Sequence, residues 1–379
     1  MTSRRTGLVW DESYLWHHPG GGAGPLALGG GLVEPGDFGE EGPHPRRRLR
    51  NLVEMSGLMD QLTIVRPRCA TGEQLCRVHT LGYVSRIQEL SAAGGGDAGG
   101  GTPFGANGYA IASLAAGGCV EAVDRVLDGL LDNVYALVKP PGHHASPDSG
   151  NGHCIFNNVA VAARHAQTRG VERVSIVDWD VHWGNGHQET FWQDGSVQVI
   201  SLHQADWYPR GGGLACDVGH GDGLGAQINI PLPPGSGIGA YRDAFTRVVL
   251  PALAAHRPDL VLVSCGLDGG ANDPSGRMLL TSNDFRWMTG ELLSAADELC
   301  GGRLVVVHEG GYSPTYVPFL GIAVIQALLG TDARVADPFL ARYTGVGFET
   351  LQPHQQAAID EVVAHHRALD GVGSAVWAG

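Results

Sequence analysis

The chain has 379 residues, 43% of them hydrophobic and 17% charged, the balance of a folded domain with a sizeable core and not of a disordered chain. Lysine and arginine number 25 against 39 aspartate and glutamate, and the resulting formal charge of −14 argues against a nucleic-acid binder, which needs a basic face to release counterions. No run is long and apolar enough for a membrane span, Met1-Thr-Ser-Arg-Arg is not followed by the apolar stretch of a signal peptide, and 7 cysteines without a CxxC pair suggest neither a disulfide framework nor a cysteine-held zinc.

A reducing cytoplasm is therefore the expected compartment. In chain order, glycine clusters come first. Gly20 to Gly24, Gly29 to Gly31 and Gly94 to Gly101 read as long loops, because glycine runs lose too much backbone entropy to hold a helix or strand. The first hundred residues are expected to wrap one end of a sheet. Residues 109–127 carry small and aliphatic side chains at helical spacing. Runs rich in Val and Ile at 134–138, 174–177, 197–202, 260–263 and 304–307 read as buried parallel strands. Helices are expected at 238–256, at 284–299 with capping residues from Ser282 to Asp284, and at 318–329. Strands alternating with helices predict an α/β fold over residues 1–379: a single domain, its central parallel sheet covered by helices on both faces. Neither an internal repeat nor a linker divides it.

Ligands bind at the carboxyl ends of strands in such sheets, and four of these strands run directly into reactive residues. They lead to Pro140-Pro-Gly-His-His144, Asp178-Trp-Asp-Val-His182, Cys265-Gly-Leu-Asp268 and His308-Glu-Gly-Gly-Tyr312. If Asp178-x-Asp180-x-His182 prolongs its strand, alternate residues share a face. Two carboxylates and an imidazole on one face call for a divalent cation. A catalytic zinc takes three protein ligands and keeps one position open, which Asp180, His182 and Asp268 satisfy. The competing reading is a set of carboxylates that cap helices. His143 and His144, stiffened by the prolines before them, suit a general acid and base. Each needs a partner on its far nitrogen, and Asp178 and Asn185 are the candidates. Tyr312 offers a phenol to an oxyanion, although a tyrosine after two glycines is more commonly a packed loop aromatic. Gly219-His-Gly-Asp-Gly and Gly235-Ser-Gly-Ile-Gly lack the strand, helix and acidic residue of a nucleotide loop and read as turns. No GxSxG elbow or HExxH helix is present.

Together with Gly152-His-Cys-Ile-Phe-Asn-Asn158, Gly184-Asn-Gly186 and Asp273-Pro274, these motifs resemble the histone deacetylase family, and more closely its class II and bacterial amidohydrolase-like branch. The resemblance runs from Trp10 to about Leu329. It implies the arginase/deacetylase fold, with long loops around the active site, and one catalytic zinc held by Asp180, His182 and Asp268. It makes His144 the base, places Asp178 behind His143, and gives Tyr312 the acyl carbonyl. It also implies a structural potassium at Ser201 and the carbonyls of 178–182, and a second cation site at Phe191, Asp194 and Val197. A substrate pocket would involve His153, Tyr208, Arg210, Ser275, Gly310 and Gly311.

Three departures from the family pattern bear on function. Trp183 stands where a second histidine is usual, His153 stands where a tunnel phenylalanine is usual, and Ser275 stands where acetylpolyamine-selective relatives carry glutamate. The expected activity is zinc-dependent removal of an acyl group from an N-acylated amine. A small N-acyl amine or amino acid, its carboxylate held by Arg210, is the leading substrate. An acetyl-lysine peptide is the alternative, and an inactive acyl-binding module or an arginase-like two-manganese hydrolase is minor. Neither nucleic acid nor membrane is an expected partner, and an oligomer is left open.

Overall fold

Runs of β-branched residues that are apolar on both faces are stable only inside a sheet covered on both sides. In the computed structural model, which describes residues 4–19, 41–331, 335–347 and 349–370, those runs lie there. The strands in chain order are β1 (Thr6–Val9), β2 (Thr63–Val65), β3 (Gly95–Asp97), β4 (Pro103–Gly105), β5 (Asn133–Ala136), β6 (Val174–Asp178), β7 (Val197–Gln204), β8 (Gln227–Leu232), β9 (Leu260–Cys265) and β10 (Leu304–His308). Eight form one sheet in the order β2-β1-β5-β10-β9-β6-β7-β8. Every pairing in it is parallel.

Side-chain alternation splits the core into two layers. Tyr135, Val177, Val263 and Val306 face one layer, packed under the helices Ser282–Cys300 and Val317–Leu329. Val134, Ala136, Ile176, Leu262, Val305 and Val307 face the other, under Gly108–Leu127 and Asn158–Thr168. The 238–256 segment is helical throughout but contains a π-helical turn at Phe245–Val249. Thr281 with Asp284 forms the capping box that starts the Ser282–Cys300 helix.

The first hundred residues do not merely wrap the sheet: β1 lies inside it, hydrogen-bonded to β2 and β5. Helices His44–Met55 and Leu81–Ala92 also belong to this part of the chain. Gly94 to Gly101 holds one strand of the β3–β4 antiparallel hairpin and is not a featureless loop. Gly20 to Gly24 and Gly29 to Gly31 lie outside the described residues. No described helix is long and apolar enough to cross a membrane, and all 7 cysteines are free.

The register aligns the chemistry. Asp178, at the tip of β6, is level with Ser201 of β7 and Ser264 of β9, and His308 of β10 is level with Cys265. The reactive loops thus leave adjacent strands at one edge of the molecule.

Candidate active site

β6 ends at Asp178, so Asp180 and His182 are not placed by strand alternation as the spacing suggested. The chain turns instead, each side chain holding the next backbone group. Asp178 Oδ1 accepts the Asp180 N–H at 3.0 Å, and Asp180 Oδ1 accepts the His182 N–H at 2.9 Å. These turns aim Asp178 away from the other two. From β9, Asp268 Oδ1 accepts the Val181 N–H at 2.8 Å, and from β10 the Gly310 N–H donates to Asp180 Oδ2 at 2.8 Å.

The result is a compact buried triad. His182 Nδ1 lies 2.9 Å from Asp180 Oδ1 and 3.1 Å from Asp268 Oδ2. The three donor atoms fall within 4.8 Å of one another. Asp268 Oδ2 is fully buried and accepts no hydrogen bond, which is costly for a carboxylate. Burial first, and then the neighbouring Asp180, push the Asp268 carboxyl up to about 7. A cation placed among these atoms would reverse both effects. The donor set, two carboxylate oxygens and one imidazole nitrogen, fits a three-ligand zinc site. The backbone leaves no slack around it: a Cβ on Gly310 would overlap both the Asp268 and Asp180 carboxylates, and one on Gly266 would overlap Asp180.

The tandem histidines reach the triad from the loop after β5. Glu309 Oε2 holds that loop, accepting the N–H of Gly142 at 2.6 Å and of His143 at 3.2 Å. His143 Nδ1 meets Asp178 Oδ2 at 3.0 Å, and His144 Nδ1 meets Asn185 Oδ1 at 2.8 Å. The two rings lie 3.9 Å apart. Their environments push the pair in opposite directions. Burial lowers the His143 pKa, but Asp180 and Asp178 outweigh it and raise it to about 10. Burial, with the His143 and His182 rings, drives His144 well below the ordinary histidine range. Two titratable groups forced apart in this way are suited to separate acid and base duties.

Tyr312 is set by its own N–H, which donates to Asp273 Oδ2 at 2.7 Å. Its ring stands edge-on to His182 at 6.3 Å. Burial, then Glu41, Asp268 and Asp180, hold the phenol well above its ordinary value, so it keeps its proton.

Above these groups is a cavity of about 510 Å³, lined by His144, His182 and Tyr312 below and by His153, Tyr208, Ser275 and Arg277 towards its mouth. His153 sits in a tight turn, with φ 50 at Gly152 and φ 67 at His153, the left-handed pair of a type I′ turn. A Cβ at Gly152 would run into the His144 ring. Tyr208 stands edge-on to His144 at 5.2 Å and donates from its hydroxyl to Asn151 Oδ1 at 2.5 Å.

Several expected pocket residues lie elsewhere. Arg210 is exposed and lines a neighbouring cavity with Trp183, His203 and Gly211 to Gly213. The reason is that its loop commits Tyr208 to the His144 side and then turns away. Gly310 and Gly311 are not among the cavity's lining residues; Gly310 lies against the triad carboxylates instead. Trp183 packs its indole over Gly212 and Gly213, where a Cβ would strike the ring. Ser201, expected at a structural potassium site, lies level with Asp178, and its hydroxyl pairs with His203 Nδ1 at 2.9 Å. At the second expected cation site, Phe191, Asp194 and Val197, Phe191 and Val197 are buried and Asp194 is half-buried. Asp194 is engaged by Arg164 at 2.6 Å and by Ser196, and the Phe191 carbonyl already accepts from Asp194 N–H and Gln227 Nε2.

The sequence reading missed Glu309, His187 and Arg277. Glu309 had a signal, since it directly follows a strand. His187, whose Nε2 meets Ser264 Oγ at 2.7 Å in the core, and Arg277, four residues past Asp273, had none.

The description of a histone deacetylase domain matches residues 41–328. The chain is 47% identical over 338 residues to a histone deacetylase-like amidohydrolase of Pseudomonas aeruginosa, covering 89% of each. It is 34% identical to a probable deacetylase of Archaeoglobus fulgidus, over 86% of this chain and 87% of that one. Among solved structures it resembles the HDA15 HD domain with a TM-score of 0.84 and 32% identity, covering 97% of this chain and 95% of that chain.

Proposed function

The chain belongs to the histone deacetylase family and is a hydrolase acting on amide bonds, and we propose that it carries out zinc-dependent removal of an acyl group, acetyl in the first instance, from a small N-acyl amine or amino acid. The observation that carries the reading is the buried Asp180, His182 and Asp268 triad, with its orphaned Asp268 oxygen, whose His182 lines one cavity together with His144 and Tyr312. Asp180, His182 and Asp268 would hold the zinc, which when bound supplies a Lewis acid that polarises the acyl carbonyl and makes water a better nucleophile. Ser201, beside Asp178, is the residue that would serve a structural potassium.

The remaining work falls to the protein's own groups. Asn185 takes the Nδ1–H of His144 and leaves Nε2 as the basic atom. His144 then removes a proton from the attacking water and returns it to the departing amine nitrogen, so the proton count closes. Against burial, Asp180 and Asp178 raise the His143 pKa, whereas burial and the His143 ring lower that of His144, so His144 is the better placed of the two to act as the base. Tyr312 donates its hydroxyl hydrogen to the oxyanion that develops on the acyl carbonyl. Glu309 keeps the histidine loop in register with the triad.

Metal analysis of Asp268→Ala tests the assignment. Wild type should hold one zinc per chain, and the variant should lose both the metal and hydrolysis of every N-acyl substrate. Full zinc in the variant would remove Asp268 from the ligand set. An acetyl-lysine peptide would use the same groups, and the exposed position of Tyr208 at the mouth favours it as the second reading.

A further inference from the structure

A substrate whose acyl carbonyl meets His182 and Tyr312 extends its amine portion towards Tyr208 and Arg277, which line the same cavity. The mouth is unusual in its charge. Among the described residues lining the cavity there is one permanent charge, Arg277, and no carboxylate. In a chain of net charge −14, a site on which only a cation faces the substrate is a local reversal of sign. No described acidic side chain lies within ion-pair distance of Arg277, whereas many of the other arginines form ion pairs.

The guanidinium is nevertheless held. Its Nη1 donates to the Pro274 carbonyl at 2.9 Å and to the Gly276 carbonyl at 2.6 Å. Its backbone N–H donates to Gln204 Oε1 at 2.8 Å. The guanidinium carbon lies 5.5 Å from the centre of the Trp207 ring, and that ring is itself fixed by its Nε1–H donating to the Ser275 carbonyl at 2.7 Å. These contacts use the Nη1 end of the fork. The Nε and Nη2 edge, the one whose two parallel N–H groups match a carboxylate, keeps its donors. Less conformational entropy is lost when a ligand meets a fork already fixed in place.

We propose that Arg277 is the specificity-determining residue of this enzyme, binding a carboxylate carried on the amine portion of the substrate and so selecting N-acyl amino carboxylates over neutral or cationic N-acyl amines. The inference rests on the hydrolase reading above for its substrate and adds the recognised group. It replaces Arg210, which lines the other cavity. The spacing between amide and carboxylate sets how well a ligand spans from the triad to the guanidinium, so a chain-length series reports it.

The test compares N-acetyl-β-alanine, N-acetyl-γ-aminobutyrate and N-acetyl-ε-aminocaproate, each with its own carboxamide and with an N-acetyl diamine. Binding is measured calorimetrically to zinc-loaded Tyr312→Phe, and kcat/KM is measured on wild type, Arg277→Gln and Arg277→Lys. Arg277 is exposed and water screens the pair, so at its best spacer the carboxylate should exceed its carboxamide by about threefold to tenfold in both affinity and kcat/KM. Arg277→Gln should abolish that advantage through KM while leaving carboxamide turnover unchanged, and Arg277→Lys should restore part of it. Equal binding of carboxylate and carboxamide across the series, or an advantage that survives in Arg277→Gln, overturns the proposal. Turnover of carboxamides without charge discrimination would leave the hydrolase reading standing and this inference refuted. Preferential carboxylate binding without turnover of any substrate would do the reverse.

Discussion

The floor and the rim of the cavity are built by different means. At the floor, every reactive group leaves the tip of a sheet strand and is tied to another strand's loop. Asp180 is bound to Gly310, Asp268 to Val181, His143 to Asp178, and Glu309 to Gly142. The rim consists of loops that touch chiefly each other: Tyr208 with Asn151, Trp207 with Ser275, and Arg277 with the carbonyls of its own loop. The triad and the histidine pair are therefore over-determined by cross-strand bonds, while the leaving group of the proposed substrate would meet residues that can change without disturbing the sheet.

The most severe test of an over-determined floor is the smallest insertion into it. Gly310→Ala adds one methyl group where both triad carboxylates already lie. We expect loss of bound zinc and of all measurable turnover, with the remainder of the sheet intact by circular dichroism. Full metal content in this variant would show that the floor has slack, and would break the contrast with the rim.

Tyr312→Phe removes one hydroxyl from a residue positioned by its backbone, since Asp273 accepts the Tyr312 N–H, not its side chain. Fold and metal should be kept. Turnover should fall about 100- to 1000-fold, the usual cost of one oxyanion donor, with the loss in kcat and little in KM. A drop of less than about tenfold would take the phenol out of the mechanism.

The contrast also explains what could be read from the chain. The floor was legible because strand-end position and residue type coincide there: Val and Ile runs announce β6, β9 and β10, and an Asp or Glu follows within three residues of each strand's end. Alternation along a strand would put Asp178, Asp180 and His182 on one face, but the strand stops at Asp178 and Asx-type turns bring Asp180 and His182 together while Asp178 pairs with His143. β1 was invisible because Thr6–Val9 is too short and too close to glycine-rich sequence to show a pattern. The rim was legible only in part: His153, Tyr208 and Ser275 line the cavity as the sequence suggested, but the arginine there was misassigned. Whether Arg210 or Arg277 faces the cavity depends on how two loops fold against Trp207, and no periodicity encodes that.

Histidines anchor the rim from below, and they make its stability sensitive to acid. His79 Nε2 accepts the Asn157 N–H at 2.9 Å while Nδ1 meets the Ser146 carbonyl at 3.0 Å. His203 Nε2 meets the Gly213 carbonyl at 2.9 Å. Burial depresses both from 6.5 to about 4. The folded state thus refuses protons that the unfolded chain binds below about 6.5, so stability is full above that pH and falls until about pH 4. Each group accounts for roughly 3 kcal/mol at the acid end. Chemical denaturation at several pH values should show this slope, reduced in His79→Gln. A flat profile from pH 6.5 to 4 would show that the rim's anchors are not these neutral rings.

The smallest effect is expected at Arg210, and it separates the two cavities. Arg210 is exposed, has no ion-pair partner among the described residues, and shares with the catalytic cavity only the two residues, Trp207 and Tyr208, that form the wall between them. Deleting a solvated surface side chain usually changes free energies by no more than about 0.5 kcal/mol. Arg210→Ala should therefore keep kcat and KM within about twofold of wild type on neutral and carboxylate-bearing substrates alike, since 1.4 kcal/mol corresponds to about tenfold. Paired with Arg277→Gln it becomes informative: one arginine on each side of a single tryptophan, the same charge removed, and a response from only one. If Arg210→Ala instead lowers kcat/KM selectively for carboxylates, the wall at Trp207 and Tyr208 opens in the working enzyme and the two cavities act as one. The rim would then be a mobile element that admits substrate from the Arg210 side, and its contrast with the floor would be one of motion as well as of construction.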